Sequence, residues 1–128
     1  MKTHLIAGQP SWRIATGEVE ACVTELGGHL GPARFGKIQP YSVAPWAEEE
    51  LDPDPATPAL LQSLRGDFSC LPFGGNATPC RGEHHPGHRE TANAKWKLES
   101  RTRPGAWTST LFYVRATTLF ISGMSSRT

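Results

Sequence analysis

The stretch "HHPGHRETANAKW", residues 84–96, sets three histidines within five positions ahead of a tryptophan. Imidazoles this close together can ligate zinc, hydrogen-bond a substrate or stand in solvent, and spacing alone does not choose among these. Cys80, His84 and His88 lie four apart, with Cys70 or His85 as a possible fourth ligand. On a helix that spacing would align three donors. Pro79, Gly82, Pro86 and Gly87 argue against a helix there, and no Cys-x-x-Cys knuckle is present, so a zinc-stabilised small domain is the less favoured reading. No metal or other cofactor is expected, and His84 and His85 read as idle.

The segments around this loop favour strands. In "EVEACVTELGGHLGPARF", Val19, Ala21 and Val23 alternate with Glu20, Cys22 and Thr24, the period of a strand with one buried face. Gly27-Gly28 supplies a turn, and Leu30 to Phe35 completes a hairpin. Trp12 and Ile14 mark an earlier strand of the same sheet. "WKLES", "AWTSTLFYV" and "TTLFIS" are later strands. "ALLQSL" is the one helical scrap, with Thr57 as cap and Pro58 in its first turn. Residues 41–58 read as a long exposed connection, since prolines at 45, 53, 55 and 58 and an acidic run exclude regular structure. Phe68, Leu71 and Phe73 should anchor the start of the loop that follows, and an anchored loop of that length is more often functional than idle.

Composition bounds the function. The 128 residues suit one domain, with roughly two-thirds of the unfolded surface available for burial. Thirteen basic and twelve acidic residues leave a net charge of +1, so no broad field draws phosphate backbones or anionic lipid. Nucleic acid and membrane surfaces are therefore not expected as partners. The apolar run at Leu5, Ile6 and Ala7 is too short for a signal peptide, and Cys22, Cys70 and Cys80 are an odd number, which suits reduced thiols and a cytoplasmic location. Asn76-Ala77-Thr78 and Arg65-Gly66-Asp67 match a glycosylation acceptor and an adhesion tripeptide, but neither context supports the use.

Taken in order, "GGHLGPARF", "IQPYSVAPW", "LRGDFSCLPFGG" and "HRETANAKW" resemble the N-terminal half of the galactose mutarotase-like superfamily, the aldose 1-epimerases and their relatives, over roughly residues 11 to 100. The resemblance implies a mainly β chain: an antiparallel β-sandwich with long irregular loops, at most one short helix, and an open sugar cleft on one face. It also implies an isomerase parent that interconverts the anomers of an aldose, with a monosaccharide or related sugar as partner. Arg65 matches the family arginine that hydrogen-bonds sugar hydroxyls. His88, eight positions before Trp96, matches the first of two active-site histidines. Arg89 stands where the family usually has glycine, which puts the loop's backbone geometry in doubt. Opening a hemiacetal needs one group to take the anomeric proton and another to protonate the ring oxygen. The resemblance places the family's glutamate base and second histidine beyond this chain, so residues 1–128 read as a single incomplete domain with no catalytic residue assigned and no activity expected alone. A non-catalytic carbohydrate-binding remnant is the alternative.

The substrate-binding candidates are thus Arg65, His88 and Trp96, the last as a flat apolar wall. Each has a plainer reading: Arg65 paired with Asp67 or Glu90, His88 solvated, Trp96 core at the head of a strand. Trp12, Trp46 and Trp107 read as core or rim. Cys70 and Cys80 show no flanking base that would activate a thiol. Asn93 should tie down its own loop through side-chain bonds to backbone. An unfinished sheet leaves edges open to self-association, with Leu111, Phe112, Val114, Leu119, Phe120 and Ile121 as the expected exposed patch.

Overall fold

The computed structural model describes residues 2–41, 43, 47, 49, 52, 54–71, 74–103, 106–114 and 119–127, with side-chain surroundings described as far as Glu99. Pro45, Trp46, Pro53 and Phe73, and the side chains of Trp107, Leu111, Phe112, Val114, Leu119, Phe120 and Ile121, lie outside the described residues.

Five strands, β1 His4–Ile6, β2 Gln9–Thr16, β3 Val19–Thr24, β4 Leu30–Phe35 and β5 Ile38–Tyr41, form an open antiparallel sheet in chain order. Each strand pairs with the next because the links are short, and Gly8, Gly17 and Gly36 supply the positive φ that tight hairpins need. Trp12 pairs with Val23 and Ile14 with Ala21, so the predicted apolar positions share one face. The expected alternation in β3 fails in one respect. Cys22 and Thr24 are buried as well, because β3 is the central strand and both faces are covered at that end, whereas Val19 at the strand's start is exposed.

β6 Trp96–Arg103, β7 Ala106–Val114 and β8 Leu119–Arg127 make a three-stranded antiparallel sheet, with Trp96 opposite Tyr113 and Val114 opposite Leu119. The fold is mainly β. A sandwich of two packed sheets is not shown, so the finer architecture remains an expectation.

Among the described residues the helices of more than one residue are two where one was expected: α1 Ala59–Ser63 and α2 Arg89–Asn93. The sequence hides α2 because the prolines and glycines that argue against helix all precede it, and one turn fits between Gly87 and Ala94. In α1 the boundary residue is Pro58 without a side-chain cap; Thr57 contributes its carbonyl, which accepts from Gln62 Nε2 at 2.7 Å.

Trp12, Trp96 and Leu98 form the apolar cluster that joins β2 to β6, with Ala94 packed against it. Burial of side chains this size stabilises by about 1.5–3 kcal/mol each. Trp96 N donates to Glu25 O at 2.8 Å, and Gly27 N donates to Ala94 O at the same distance, so the end of the 64–95 segment is stitched to the β3–β4 connection. Leu71 is exposed rather than anchoring, and Phe68 is only half-buried, since the chain from 68 to 71 runs along the edge of the core.

Candidate functional site

The sequence places Gly27, Gly28 and His29 in the β3–β4 connection, and their backbone is set by Thr24. Its hydroxyl accepts from His29 N at 2.9 Å and donates to Leu26 O at 2.5 Å. Gly28, with φ +61°, lies flat against Trp96; a Cβ there would come within 2.8 Å of the indole. Gly27, with φ +75°, leaves space where a Cβ would strike the Ala92 carbonyl and the His29 ring. The double glycine therefore does more than turn the chain: it admits Trp96 and an imidazole side by side.

Leu30 and Asp67 exchange backbone hydrogen bonds of 2.7 and 3.2 Å, seating residues 65–67 on the start of β4. Gly66 is required at that crossing, because a Cβ would collide with the Leu30 carbonyl. Arg65 is 2% exposed. Its Nη1 donates to Ile6 O at 2.8 Å, Nη2 to Ala7 O at 2.9 Å and Nε to Ser63 O at 3.2 Å. The fork thus clasps the β1–β2 turn, and its partners are carbonyls rather than Asp67 or Glu90. Burial moves its pKa below the ordinary arginine value.

His29, Phe68 and His88 stand in a row from interior to surface. The His29 and Phe68 rings stack with centroids 4.6 Å apart and 12° between planes, and the Phe68 and His88 rings meet crosswise, with centroids 5.4 Å apart and 75° between planes. His29 is fully buried, with neither ring nitrogen hydrogen-bonded among the described residues. Burial pushes its pKa down to about 4, helped by Arg65 and His88; the Ala92 carbonyl nearby opposes this without reaching hydrogen-bond geometry. A neutral buried imidazole follows. His88 is exposed. It adopts φ 58° at the head of α2, its N–H donates to Gly74 O at 2.6 Å, and its Nδ1 lies 3.3 Å from Cys70 Sγ.

Thr91 and Asn93 hold this loop in shape. Thr91 Oγ1 donates to Ser69 O and accepts from Leu71 N, and the Thr91 carbonyl accepts from Trp96 Nε1 at 2.8 Å. Asn93 Nδ2 donates to Gly87 O and Arg89 O at 2.8 and 2.6 Å, the local tie-down its residue type suggested. Arg89 follows His88 at positive φ too, the backbone state that a glycine would take most readily.

A cleft of about 400 Å³ is lined by Asn76, Cys80, Arg81, Glu83, His85 and Arg89. His85 is held within the loop rather than solvated: its ring sits 3.1 Å from Glu83 Oε2 and 3.5 Å from Glu90 Oε1. Asn76 clasps the loop, donating to Thr78 O and Glu83 O and accepting from His85 N. Among the described residues no group of three or more His, Cys, Asp or Glu side chains is placed to hold a metal ion, so Cys80, His84 and His88 are not assembled into the zinc site that their spacing allowed.

Of the three predicted site residues, His88 faces solvent, Arg65 lies beneath the loop, and Trp96 is 7% exposed in the core. The sequence reading missed His29, Phe68 as its stacking partner, and the Cys70–His88 contact. A histidine directly after a glycine pair that must leave room for something was the available signal for His29; nothing local signals a thiol and an imidazole eighteen residues apart. No described helix is long and apolar enough to cross a membrane. Compared with family models, curated proteins and solved structures, the chain matches none.

Proposed function

We propose that the chain is a carbohydrate-binding portion of an aldose 1-epimerase-type protein, with His88 as its sugar-facing group. The observation that carries this is convergence. Three segments that bear the resemblance, around residues 27–35, 64–75 and 88–96, meet at one place: Gly28 on Trp96, Leu30 paired with Asp67, and His29, Phe68 and His88 in a row. An exposed imidazole beside an aromatic ring offers a hydroxyl one hydrogen-bonding group and one apolar surface.

In this reading Arg65 acts as a positioning residue, because reaching a sugar would require it to leave three carbonyls. Phe68 replaces Trp96 as the aromatic surface. Mutarotation needs a base and an acid on the same hemiacetal. His29 is shut behind Phe68, so this chain alone binds sugar weakly and does not equilibrate anomers. A cytoplasmic setting belongs to the same proposal and is supported by three free thiols. So does association through the open edges at β1 and β5, which sedimentation at increasing concentration would register.

Titration with glucose and galactose, followed by the histidine ring resonances, tests the reading. Saturable shifts at His88 that vanish in His88→Ala are expected, alongside polarimetric equilibration no faster than buffer. Absence of any shift up to high sugar concentration would remove the proposal.

A further inference from the structure

The geometry points to Cys70 as a nucleophilic thiol, activated by His88, that takes small soft carbon electrophiles. Its sulfur lies 3.3 Å from His88 Nδ1. The backbone that carries the imidazole is fixed by the His88 N–H to Gly74 O bond and by the Asn93 side chain on the preceding carbonyl, and the ring itself packs crosswise on Phe68. A thiol within hydrogen-bond reach of an oriented base is the arrangement that generates thiolate. The other two cysteines differ. Cys22 is buried in β3, and Cys80 is exposed with no side-chain hydrogen bond to an imidazole among the described residues.

The step balances without oxidant or metal. The Cys70 S–H proton passes to His88 Nδ1, the sulfur forms a bond to the electrophilic carbon, and the leaving group departs with its electron pair. The imidazolium then returns its proton to water through its exposed face. This inference shares His88 and Phe68 with the sugar reading but does not depend on it, since it rests on the Cys70–His88 contact.

Iodoacetamide at limiting concentration and neutral pH, without sugar, followed by peptide mass mapping of the full chain, is the test. Cys70 should be carbamidomethylated roughly tenfold faster than the more exposed Cys80, with Cys22 last. In concentrated urea the Cys70 to Cys80 ratio should fall to about one, as expected when reactivity comes from the fold rather than from flanking sequence. His88→Asn, a residue that tolerates the left-handed backbone, should bring Cys70 down to the Cys80 rate while Cys22 stays protected. A folded chain in which Cys70 reacts no faster than Cys80, a ratio that survives urea, or one unchanged by His88→Asn would each overturn the assignment.

Discussion

The sheet of residues 4–41 and the loop system of residues 64–95 are held by different means. In the sheet, backbone pairing repeats from strand to strand, and no one bond is indispensable. In the loop system the chain makes few regular pairs, and single side chains, Arg65, Asn76, Thr91, Asn93 and Trp96, carry the connections. The comparison teaches that the candidate site is positioned by a few buried polar anchors, so its sensitivity to substitution should be concentrated there.

Trp96, at the start of β6, contacts both regions, and its loss should have the largest effect. Trp96→Ala removes the ring that packs on Trp12, Leu98 and Gly28 and frees the Thr91 carbonyl, at a cost of about 4 kcal/mol in urea unfolding. A cost below about 1 kcal/mol, the scale of an ordinary surface change, would mean that the loop rests on the sheet without depending on it. Next comes Arg65→Met, which keeps an apolar stem but strips donors from Ile6, Ala7 and Ser63 carbonyls. About 3 kcal/mol is expected from the unfolding midpoint. Ring shifts at His88 should move in the same variant, because the 65–67 segment leads directly to Phe68.

How much of this was legible in the sequence differs between the two regions for the same reason. Period-two alternation and glycine punctuation are local signals, and they located β2, β3, β4, β6 and β7. Helix α2 escaped because one turn is too short to show a period and follows directly on Pro86 and Gly87. His88 was singled out through the resemblance alone. The environment of Arg65 was not, since its partners at Ile6 and Ala7 lie almost sixty residues away and are backbone atoms, which carry no sequence signature. His29 was missed because the glycine pair before it reads as a turn, and local sequence does not show that the turn closes over a buried ring. The two-sheet sandwich came from the resemblance alone, and periodicity has no means of showing how sheets pack.

His29 offers a way to sharpen the contrast by pH. Its folded pKa of about 4 lies below the ordinary value of 6.5. The unfolded chain therefore binds a proton that the folded chain refuses, and stability is lost as pH falls from 6.5 toward 4. Between pH 7 and pH 5 this amounts to about 2 kcal/mol. His29→Phe keeps a ring to stack on Phe68 and should flatten that part of the stability profile. An equal loss in the variant would place the acid sensitivity elsewhere.

The smallest effect is expected in the sheet, at its best-formed ion pair. Arg13 meets Glu20 across β2 and β3 through two 2.7 Å contacts, with Arg34 at 3.8 Å, and the Arg13 hydrogen bond holds the Glu20 carboxyl below its usual pKa range. Yet the pair is open to solvent, where ions screen it and ordering two long side chains offsets the attraction. Glu20→Gln should leave the unfolding midpoint within measurement error at moderate salt, because the strands beneath keep their backbone ladder and their buried face. A loss comparable to that of Arg65→Met would show the sheet leaning on single polar contacts as the loop system does, and the distinction between the two regions would dissolve.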